Sequence, residues 1–339
     1  MIQLVKVMTT GFVFVDILAT ELPRLPEPGE HVLAPPGIKV SLGGHPANVA
    51  VDLRQLGLNE GEVRVALAVG DDMFGSFVQD FLRSKGLVGK LQQVKGVSTG
   101  ISIILVKKGK DKAIVGHHGA NHFLDYNYVM DTLKASRPKI LYVAAGILGD
   151  FDLKLKDLLE YCNNNGILTI VDLAQPYGKD WSYSYPALPY ITVLHSNVKE
   201  LKGLTGQEKW RDGLKWLKEK GVMLPIVSDG GNGAMTIFKD KYIVQPAFNV
   251  NVIDPTGAGD AMCAGIAKKL LDLLKNGHNL EDLNIQEVKE LLLFAQATGA
   301  ACVEEIGATT GVTIERVNRI LGSQGEKVLA MTISEDLLY

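Results

Sequence analysis

The sequence predicts an α/β fold with a doubly wound, mostly parallel sheet and a second, small β-sheet beside it. Two observations predict the main sheet: short, unbroken apolar runs that end in turn residues, and amphipathic stretches between those runs. Unbroken apolar character is typical of strands buried on both faces, as parallel strands are. Regular alternation of such strands with helices indicates right-handed crossovers around one sheet. The small sheet is predicted by two regions that interrupt the alternation.

The strands of the main sheet are predicted by six apolar runs, at residues 4–11, 63–70, 139–146, 167–174, 190–197 and 224–231. Helices are predicted at residues 48–57, 74–86, 150–166 and 207–221. Each of these helical stretches ends in glycine, the residue that most often closes a helix in the left-handed conformation. Because no low-complexity linker divides the chain, residues 1–339 are predicted to form a single domain.

The regions that interrupt the alternation are residues 12–42 and 99–118, which alternate polar and apolar side chains better than the main strands do. Residues 99–118 are predicted to form a hairpin with its turn at 107–112. We expect the two regions to form a lid over a cleft, with a passive edge extension as the plainer alternative. The exposed face of such a lid is also the expected surface for a homodimer.

The composition indicates an ordinary globular protein, with 46% hydrophobic residues and a net charge of −3. That charge gives no general basic field, so nucleic acid is not expected as a partner. The apolar runs are too short to cross a bilayer, and residues 1–18 lack the pattern of a signal peptide. The three cysteines form no recognisable framework, which fits a reducing compartment and a cytoplasmic location.

The most informative stretch is residues 254–271, in which Gly257, Ala258 and Gly259 precede Asp260 and a helical run. A helix N-terminus binds anions, and small residues let a phosphate approach the backbone. A carboxylate there would repel the phosphate unless it removes a proton from the attacking hydroxyl. The alternative is an ordinary helix cap, worth roughly 1 kcal/mol. The chain contains neither a G-x-x-x-x-G-K-[ST] nor a G-x-G-x-x-G motif, which disfavours a P-loop enzyme and a dehydrogenase.

Several segments resemble the ribokinase-like carbohydrate kinases, also called the PfkB family, and they occur in the family's order. The resemblance covers residues from about 10 to about 320. The segments are "GGHPANVAVDLRQLG" at 43–57, "VGDDMFG" at 69–75, "TG" at 99–100, "GAN" at 119–121, "NVKE" at 197–200, "SDGGNGA" at 228–234, "DPTGAGDAMCAGIA" at 254–267 and "FAQATGAACVEEIGAT" at 294–309. The resemblance implies a ribokinase-like fold and an ATP-dependent kinase.

By this resemblance, Asp260 is the base that deprotonates the acceptor hydroxyl, and the backbone of Gly257, Ala258 and Gly259 forms an anion hole. Asn197 and Glu200 would lie near the phosphates and Mg²⁺, with Glu200 reaching the ion through water. Their spacing equally fits a helix cap with its capping-box acid, and the two interpretations are compatible.

The resemblance also assigns residues to the two substrates. The sugar side would be formed by Asp16, Gly43, Gly44 and Asn48, and the ATP side by Ser228, Gly230, Gly233, Gln296 and Gly307. The alternatives are a plain turn for Gly43 and Gly44 and a helix cap for Asn48. Asp254 would contribute to a monovalent-cation site, such as one for K⁺, as in several family members.

The chain departs from the family's pattern at 172–181, where "DLAQPYGKDW" lacks an expected arginine and Lys179 is a candidate substitute. Residues 174–190 are aromatic and rich in proline, and residues 325–339 receive no role. His117, His118 and His122 cluster after the hairpin. A metal site there is disfavoured, because adjacent residues on a strand point to opposite faces.

The sequence therefore predicts a kinase that transfers the γ-phosphate of ATP to a hydroxyl of a sugar or sugar-like alcohol. The pattern "GG-x-PAN" at 43–48 resembles fructokinase-type members more than ribokinases, which favours a hexose. A nucleoside kinase of the same family is one alternative. A catalytically silent nucleotide- or sugar-binding regulatory protein is another, and a nucleotide-binding structural subunit is a third.

Overall fold

The computed structural model describes residues 4–87, 89–107, 112–275 and 280–337. Its strands are β1 Val7–Gly11, β2 Phe14–Leu22, β3 Ile38–Gly43, β4 Val63–Gly70, β5 Gln92–Val94, β6 Ile101–Lys107, β7 Lys112–His117, β8 Ile140–Ala145, β9 Leu168–Leu173, β10 Val193–Asn197, β11 Leu224–Ser228, β12 Ala234–Phe238, β13 Lys241–Gln245 and β14 Ile333–Asp336. Its α-helices are α1 His45–Gln55, α2 Met73–Ser84, α3 Tyr126–Ser136, α4 Asp150–Leu153, α5 Leu155–Asn164, α6 Val198–Thr205, α7 Trp210–Glu219, α8 Ala258–Lys275, α9 Ile285–Val303 and α10 Ile314–Ala330.

The main sheet has ten strands in the order β14-β13-β12-β11-β10-β9-β8-β1-β4-β5. The strands from β11 to β5 pair in parallel, whereas β12, β13 and β14 add antiparallel strands at one edge. Helices cover both faces, so the central strands β1 and β8 are buried along their whole length. The six predicted strands all lie in the parallel part, which confirms the predicted fold class.

The predicted helices are present with small shifts at their ends. The expected helix at 150–166 is divided at Lys154 into α4 and α5. Gly57, Gly86, Gly166 and Gly221, the predicted closing residues, all have positive φ angles between 66° and 94°. Glycine therefore closes these helices for the conformational reason that the sequence indicated.

The small sheet contains four strands in the order β3-β2-β6-β7, with β2 and β6 parallel and the outer pairs antiparallel. Part of the predicted turn, residues 108–111, lies outside the described residues. The register places Ile17 beside Val40 and Ile103, and Ile103 beside Val115, so these four side chains share one face of the sheet.

Two polar side chains join the small sheet to the main domain. Asn121 accepts a hydrogen bond from the backbone N–H of Val13 at 2.9 Å and donates one to its carbonyl at 2.8 Å. Asp72, the N-cap of α2, accepts hydrogen bonds from the N–H and hydroxyl of Thr99 at 2.8 and 2.6 Å. The segments "GAN", "VGDD" and "TG" therefore fix the points where the strands of the small sheet join the main domain.

The C-terminal segment, to which the sequence assigned no role, is part of the fold. Residues up to Ala330 complete α10, and β14 then pairs with β13 at the antiparallel edge. Within the part of the chain that the structure describes, no helix has both the length and the apolar character needed to cross a bilayer.

Candidate active site

The site is built where the N-termini of α1 and α8 meet. Asn48 lies in the first turn of α1 and Asp260 in the first turn of α8, and both side chains are buried. The Nδ2 of Asn48 donates a hydrogen bond of 2.8 Å to Oδ2 of Asp260, across 212 residues of sequence. The sugar-side segment and the segment around Asp260 are thereby brought together, as the sequence predicted for neighbours in one site.

Glycines shape the backbone on both sides of this contact. Gly257, just before α8, has a φ of +82°, and a Cβ there would lie 2.5 Å from the carbonyl oxygen of Ala308. Gly44, just before α1, has a φ of +97°, and its Cβ would lie 2.6 Å from the Phe12 carbonyl oxygen. A Cβ at Gly43 would collide with the carboxylate of Asp16, on strand β2 of the small sheet. Only glycine allows these close approaches.

Two histidines and a second aspartate complete the site. Of these three, the sequence singles out His45, which lies inside the sugar-side segment and is either a substrate contact or a loop residue facing solvent. The Nδ1 of His45 lies 3.6 Å from Oδ1 of Asp260 and 3.8 Å from Oδ2 of Asp172. The Nδ1 of His195 lies 3.2 Å from the same Asp172 oxygen, and its Nε2 lies 3.2 Å from Oγ of Ser228. Asp172 is the first residue of the segment at 172–181 that departs from the family's pattern. His195 carries no signal except its place on β10, beside Asp172 on β9.

Electrostatics couple these side chains. Burial raises the pKa of Asp260, and the nearby Asp172 adds to the rise, while His45 and the Asn48 hydrogen bond oppose it. For Asp172, the His195 hydrogen bond and the two imidazoles outweigh burial, so its pKa is lowered. The carboxylates of Asp172 and Asp260 outweigh the burial of His45 and raise its pKa. The pKa of each of these groups is therefore set by its buried neighbours as well as by its own burial.

Asn197 and Glu200 form the capping box that their spacing allowed. The Oδ1 of Asn197 accepts from the N–H of Glu200, and Oε2 of Glu200 accepts from the N–H of Asn197, both at 2.9 Å. Burial and the charge of Asp172 raise the pKa of Glu200. This places Glu200 within the electrostatic reach of the site, and its predicted link to Mg²⁺ stays a prediction.

The residues predicted for the ATP side lie at the end of β11, in the turn after it, within α9 and in the loop after α9. Ser228 ends β11 and contacts His195, and the turn after it contains Gly230 and Gly233 with φ angles of +49° and +103°. The side chain of Gln296 is buried and donates a hydrogen bond of 2.8 Å to Oε1 of Gln245, so it holds two elements of the core together. A direct contact of these residues with ATP stays a prediction.

Asp254 joins the loop before α8 to the loop after α9. Its carboxylate accepts hydrogen bonds from the N–H of Thr256 at 2.9 Å and from the N–H of Gly307 at 3.0 Å. Lys179, the candidate substitute for the missing arginine, donates instead to the buried carboxylate of Asp152 at 2.8 Å. Its ammonium group is therefore committed to a structural ion pair.

His117, His118 and His122 line a cavity of about 340 Å³ together with Phe123 and Tyr177. Among the described residues, the clusters with metal-ligand geometry are two others, namely Asp172 with His195 and Cys263, and Asp172 with His45 and Asp260.

A buried carboxylate at a glycine-preceded helix N-terminus, facing a small β-sheet, is the arrangement expected of a sugar kinase. The family comparison agrees, because residues 6–315 match the model of the pfkB family carbohydrate kinases, and the chain belongs to that family. The predicted resemblance is therefore confirmed. An ATP-dependent carbohydrate kinase is supported at the level of the family.

Individual relatives are similar over most of their length. A deoxyribokinase of Salmonella typhi is 29% identical over 74% of this chain and 81% of its own. An ATP-dependent ribose-1-phosphate kinase of Halopiger xanaduensis is 27% identical over 95% of this chain and 99% of its own. The structure of a ribokinase from Giardia lamblia superposes with a TM-score of 0.84 at 18% identity, over 95% of this chain and 99% of that one, and confirms the ribokinase-like fold.

Proposed function

We propose that this protein transfers the γ-phosphate of ATP to a hydroxyl of a sugar or sugar-like alcohol, with Asp260 as the general base. One observation carries the proposal: Asp260 is buried at the start of α8, and within the described part of the chain its side-chain hydrogen bond comes from Asn48 to Oδ2. The remaining oxygen, Oδ1, is the one to accept the proton of the acceptor hydroxyl. The alternative, a helix cap, would require bonds from Asp260 to the backbone of its own helix.

The residues around Asp260 have distinct tasks in this reaction. As the acceptor oxygen bonds to the γ-phosphorus, the bond from phosphorus to ADP breaks and the proton passes to Asp260. The backbone of Gly257, Ala258 and Gly259 stabilises the charge of the transferring group. We infer that the lid, about residues 12–42 and 99–118, covers the acceptor and excludes water.

Glu200, supported by Asn197, is proposed to hold Mg²⁺ through water. The support is electrostatic: burial and then the charge of Asp172 raise the pKa of Glu200, and a cation beside the carboxylate would oppose both effects. When bound, Mg²⁺ neutralises charge on the ATP phosphates. Ser228, Gly230, Gly233, Gln296 and Gly307 are proposed to border the nucleotide, chiefly through the backbone and the shape of the two turns.

Asp16, Gly43, Gly44 and Asn48 are proposed to hold the acceptor. A carboxylate and an amide can pair with neighbouring hydroxyls, which suits a sugar better than an apolar alcohol. The names of the relatives given above make pentoses and phosphopentoses candidates beside the hexose that the "GG-x-PAN" pattern favours. A nucleoside remains the alternative acceptor within the family.

The test is ADP release with Mg²⁺-ATP over deoxyribose, ribose, ribose 1-phosphate, fructose, adenosine and inosine, with Asp260→Asn beside the natural chain. We expect turnover on one class of acceptor and its loss in the variant, which should still bind ATP. If no acceptor is turned over and ATP binds equally to both proteins, a binding protein explains the chain better. If, in addition, the sugars do not change the thermal stability of the protein, a nucleotide-binding structural subunit is the better explanation.

We also propose a monovalent cation, such as K⁺, beside Asp254. The support is that this carboxylate joins the Thr256 and Gly307 loops, both of which border the anion hole. Activity should rise when K⁺ replaces tetramethylammonium at equal ionic strength. Equal rates in the two salts would contradict the site.

A homodimer through the small sheet is the last proposal. Ile17, Val40, Ile103 and Val115 form one apolar face, and Val40, Ile103 and Val115 are exposed. Val115→Lys should shift sedimentation from dimer to monomer, whereas Met331→Lys, at an exposed apolar residue outside the small sheet, should not. A natural chain that sediments as a monomer would contradict the proposal.

A further inference from the structure

The unusual feature of the site is the Nδ1 atom of His45, which is buried and has no hydrogen-bond partner within the described part of the chain. It faces two carboxylate oxygens, Oδ1 of Asp260 at 3.6 Å and Oδ2 of Asp172 at 3.8 Å. Both distances are too long for hydrogen bonds of normal strength. A buried ring nitrogen between two carboxylates therefore needs another explanation.

The distances suit three ligands of one metal ion. Ligand atoms from His45, Asp172 and Asp260 all lie within 4.8 Å of one another. Zinc bonds to nitrogen and oxygen of about 2.0–2.2 Å place tetrahedral ligand atoms roughly 3.3–3.6 Å apart. A small contraction of the cluster would bring its three atoms to that geometry. The ion would also neutralise two buried carboxylates that are not fully paired.

The three ligands are held in place by neighbouring side chains, as metal ligands usually are. Asn48 binds Oδ2 of Asp260 and so leaves Oδ1 toward His45. His195 orients Asp172 through a contact of 3.2 Å. His45 begins α1 and packs edge-on against Phe12, with ring centroids 4.8 Å apart.

We propose that His45, Asp172 and Asp260 form a binding site for one divalent transition-metal ion, best fitted by Zn²⁺, with its fourth position open. About a third of the His45 side chain is exposed, which provides a way in. The imidazole ligand favours zinc over Mg²⁺, which prefers oxygen ligands and keeps its water. Because the ion would occupy Oδ1 of Asp260, bound zinc inhibits the kinase reaction proposed above. Only this inhibition depends on the proposed function.

A second cluster shares one of the ligands and must be distinguished. Asp172, His195 and Cys263 also have ligand atoms within 4.8 Å of one another, but all three are buried. That cluster has no exposed member through which an ion could enter. It also contains a thiol, which gives it a different spectroscopic signature.

The test is calorimetric titration of ZnCl₂ into the full chain after removal of metals with a chelator. We expect one ion per chain, and His45→Asn should weaken zinc binding by more than the roughly 10–100-fold that loss of a supporting side chain causes. His118→Asn, at another partly exposed histidine outside the cluster, and Cys263→Ser should bind zinc as the natural chain does. Absence of zinc binding, or a loss with Cys263→Ser but not with His45→Asn, would overturn the proposal.

A spectrum of the natural chain keeps the proposal testable if His45→Asn does not fold. Bound Co²⁺ should show the absorption of a nitrogen- and oxygen-ligated ion without a thiolate-to-metal charge-transfer band, and a thiolate band would assign the ion to the Cys263 cluster. Neither measurement needs an acceptor substrate. A chain that binds zinc but phosphorylates no tested alcohol would therefore refute only the proposed function.

Discussion

Helices α6 and α8 each carry an acid as their third residue, but the two acids have different hydrogen-bond partners. Glu200 of α6 follows Asn197, and the pair closes a capping box with the backbone of its own helix. Asp260 of α8 follows Gly257, which has no side chain, and its hydrogen bond comes from Asn48 on another helix. The residue type and the helix position therefore do not decide which partner such an acid takes. That partner depends on the residue that precedes the helix and on the element that faces the acid.

The largest expected effect compares the two acids directly. Asp260→Asn removes the base and should lower kcat by about 10²–10⁴-fold, since that is the usual contribution of general base catalysis. Glu200→Gln keeps an oxygen that can accept the capping hydrogen bond but removes the negative charge. We expect that change mainly to weaken the binding of Mg²⁺-ATP, which raises its KM. Steady-state kinetics on the acceptor that the panel identifies measure both. Equal losses of kcat in the two variants would contradict the proposal that Asp260 acts as the base and that Glu200 supports the binding of Mg²⁺-ATP.

The next prediction concerns a substitution of the glycine that precedes α8. Gly257→Ala combines a positive φ with a contact of 2.5 Å to Ala308, and should lower the free energy of unfolding by more than the roughly 1–3 kcal/mol of backbone strain alone. Gly166→Ala is the matched control, because Gly166 also has a positive φ but nothing within 4 Å of its Cβ position. Urea unfolding measures both variants. A smaller loss for Gly257→Ala than for Gly166→Ala would contradict the close approach seen here.

A third acid, Asp52 in α1, sharpens the comparison because neither of its oxygens has a partner in the described part of the chain. Burial, with the charge of Asp260, raises its pKa well above the usual value, so the native state keeps a proton that the unfolded chain releases. Stability therefore falls as pH rises from about 4 toward the native pKa.

Asp52→Leu should remove this pH dependence and raise the free energy of unfolding at pH 8 by about 1–3 kcal/mol, the usual cost of an unsatisfied buried polar group. Urea unfolding between pH 5 and pH 8 provides the measurement. Asp131→Asn, at an exposed aspartate, is the control and should change little. An unchanged pH slope in Asp52→Leu would mean that Asp52 is charged in the native state.

The smallest effect separates capping from function at α6. Asn197→Ala should cost about 1 kcal/mol of stability through the lost cap and should also raise the KM for Mg²⁺-ATP. Asn284→Ala breaks the equivalent capping box with Glu287 at the start of α9, and should cost a similar amount without changing the KM. Thermal melts and ATP titrations of the two variants test this. A KM for Mg²⁺-ATP that rises equally in both variants would contradict the proposed role of Asn197 in binding Mg²⁺-ATP.

The fold was predictable because its signals are local. Unbroken apolar runs and helix-closing glycines such as Gly57 and Gly221 depend on a residue and its near neighbours, and those elements appear where the sequence indicated. The antiparallel edge was not predicted. Strands β12 to β14 extend the sheet outward from β11, so their pairing depends on an edge that the rest of the sheet provides. Strand β14 pairs with a strand about 90 residues earlier in the sequence.

The sequence by itself determined the position of the proposed base, because Gly257 to Asp260 combine a glycine turn, a helix start and an acid within four residues. Only the tertiary structure decided what surrounds it. Asp172 and His195 lie side by side on neighbouring parallel strands that are joined by a long connection, and His45 reaches Asp172 from a helix more than 120 residues away in sequence. Such a cluster leaves no local pattern, since its members meet only when the sheet and the two helix N-termini have assembled.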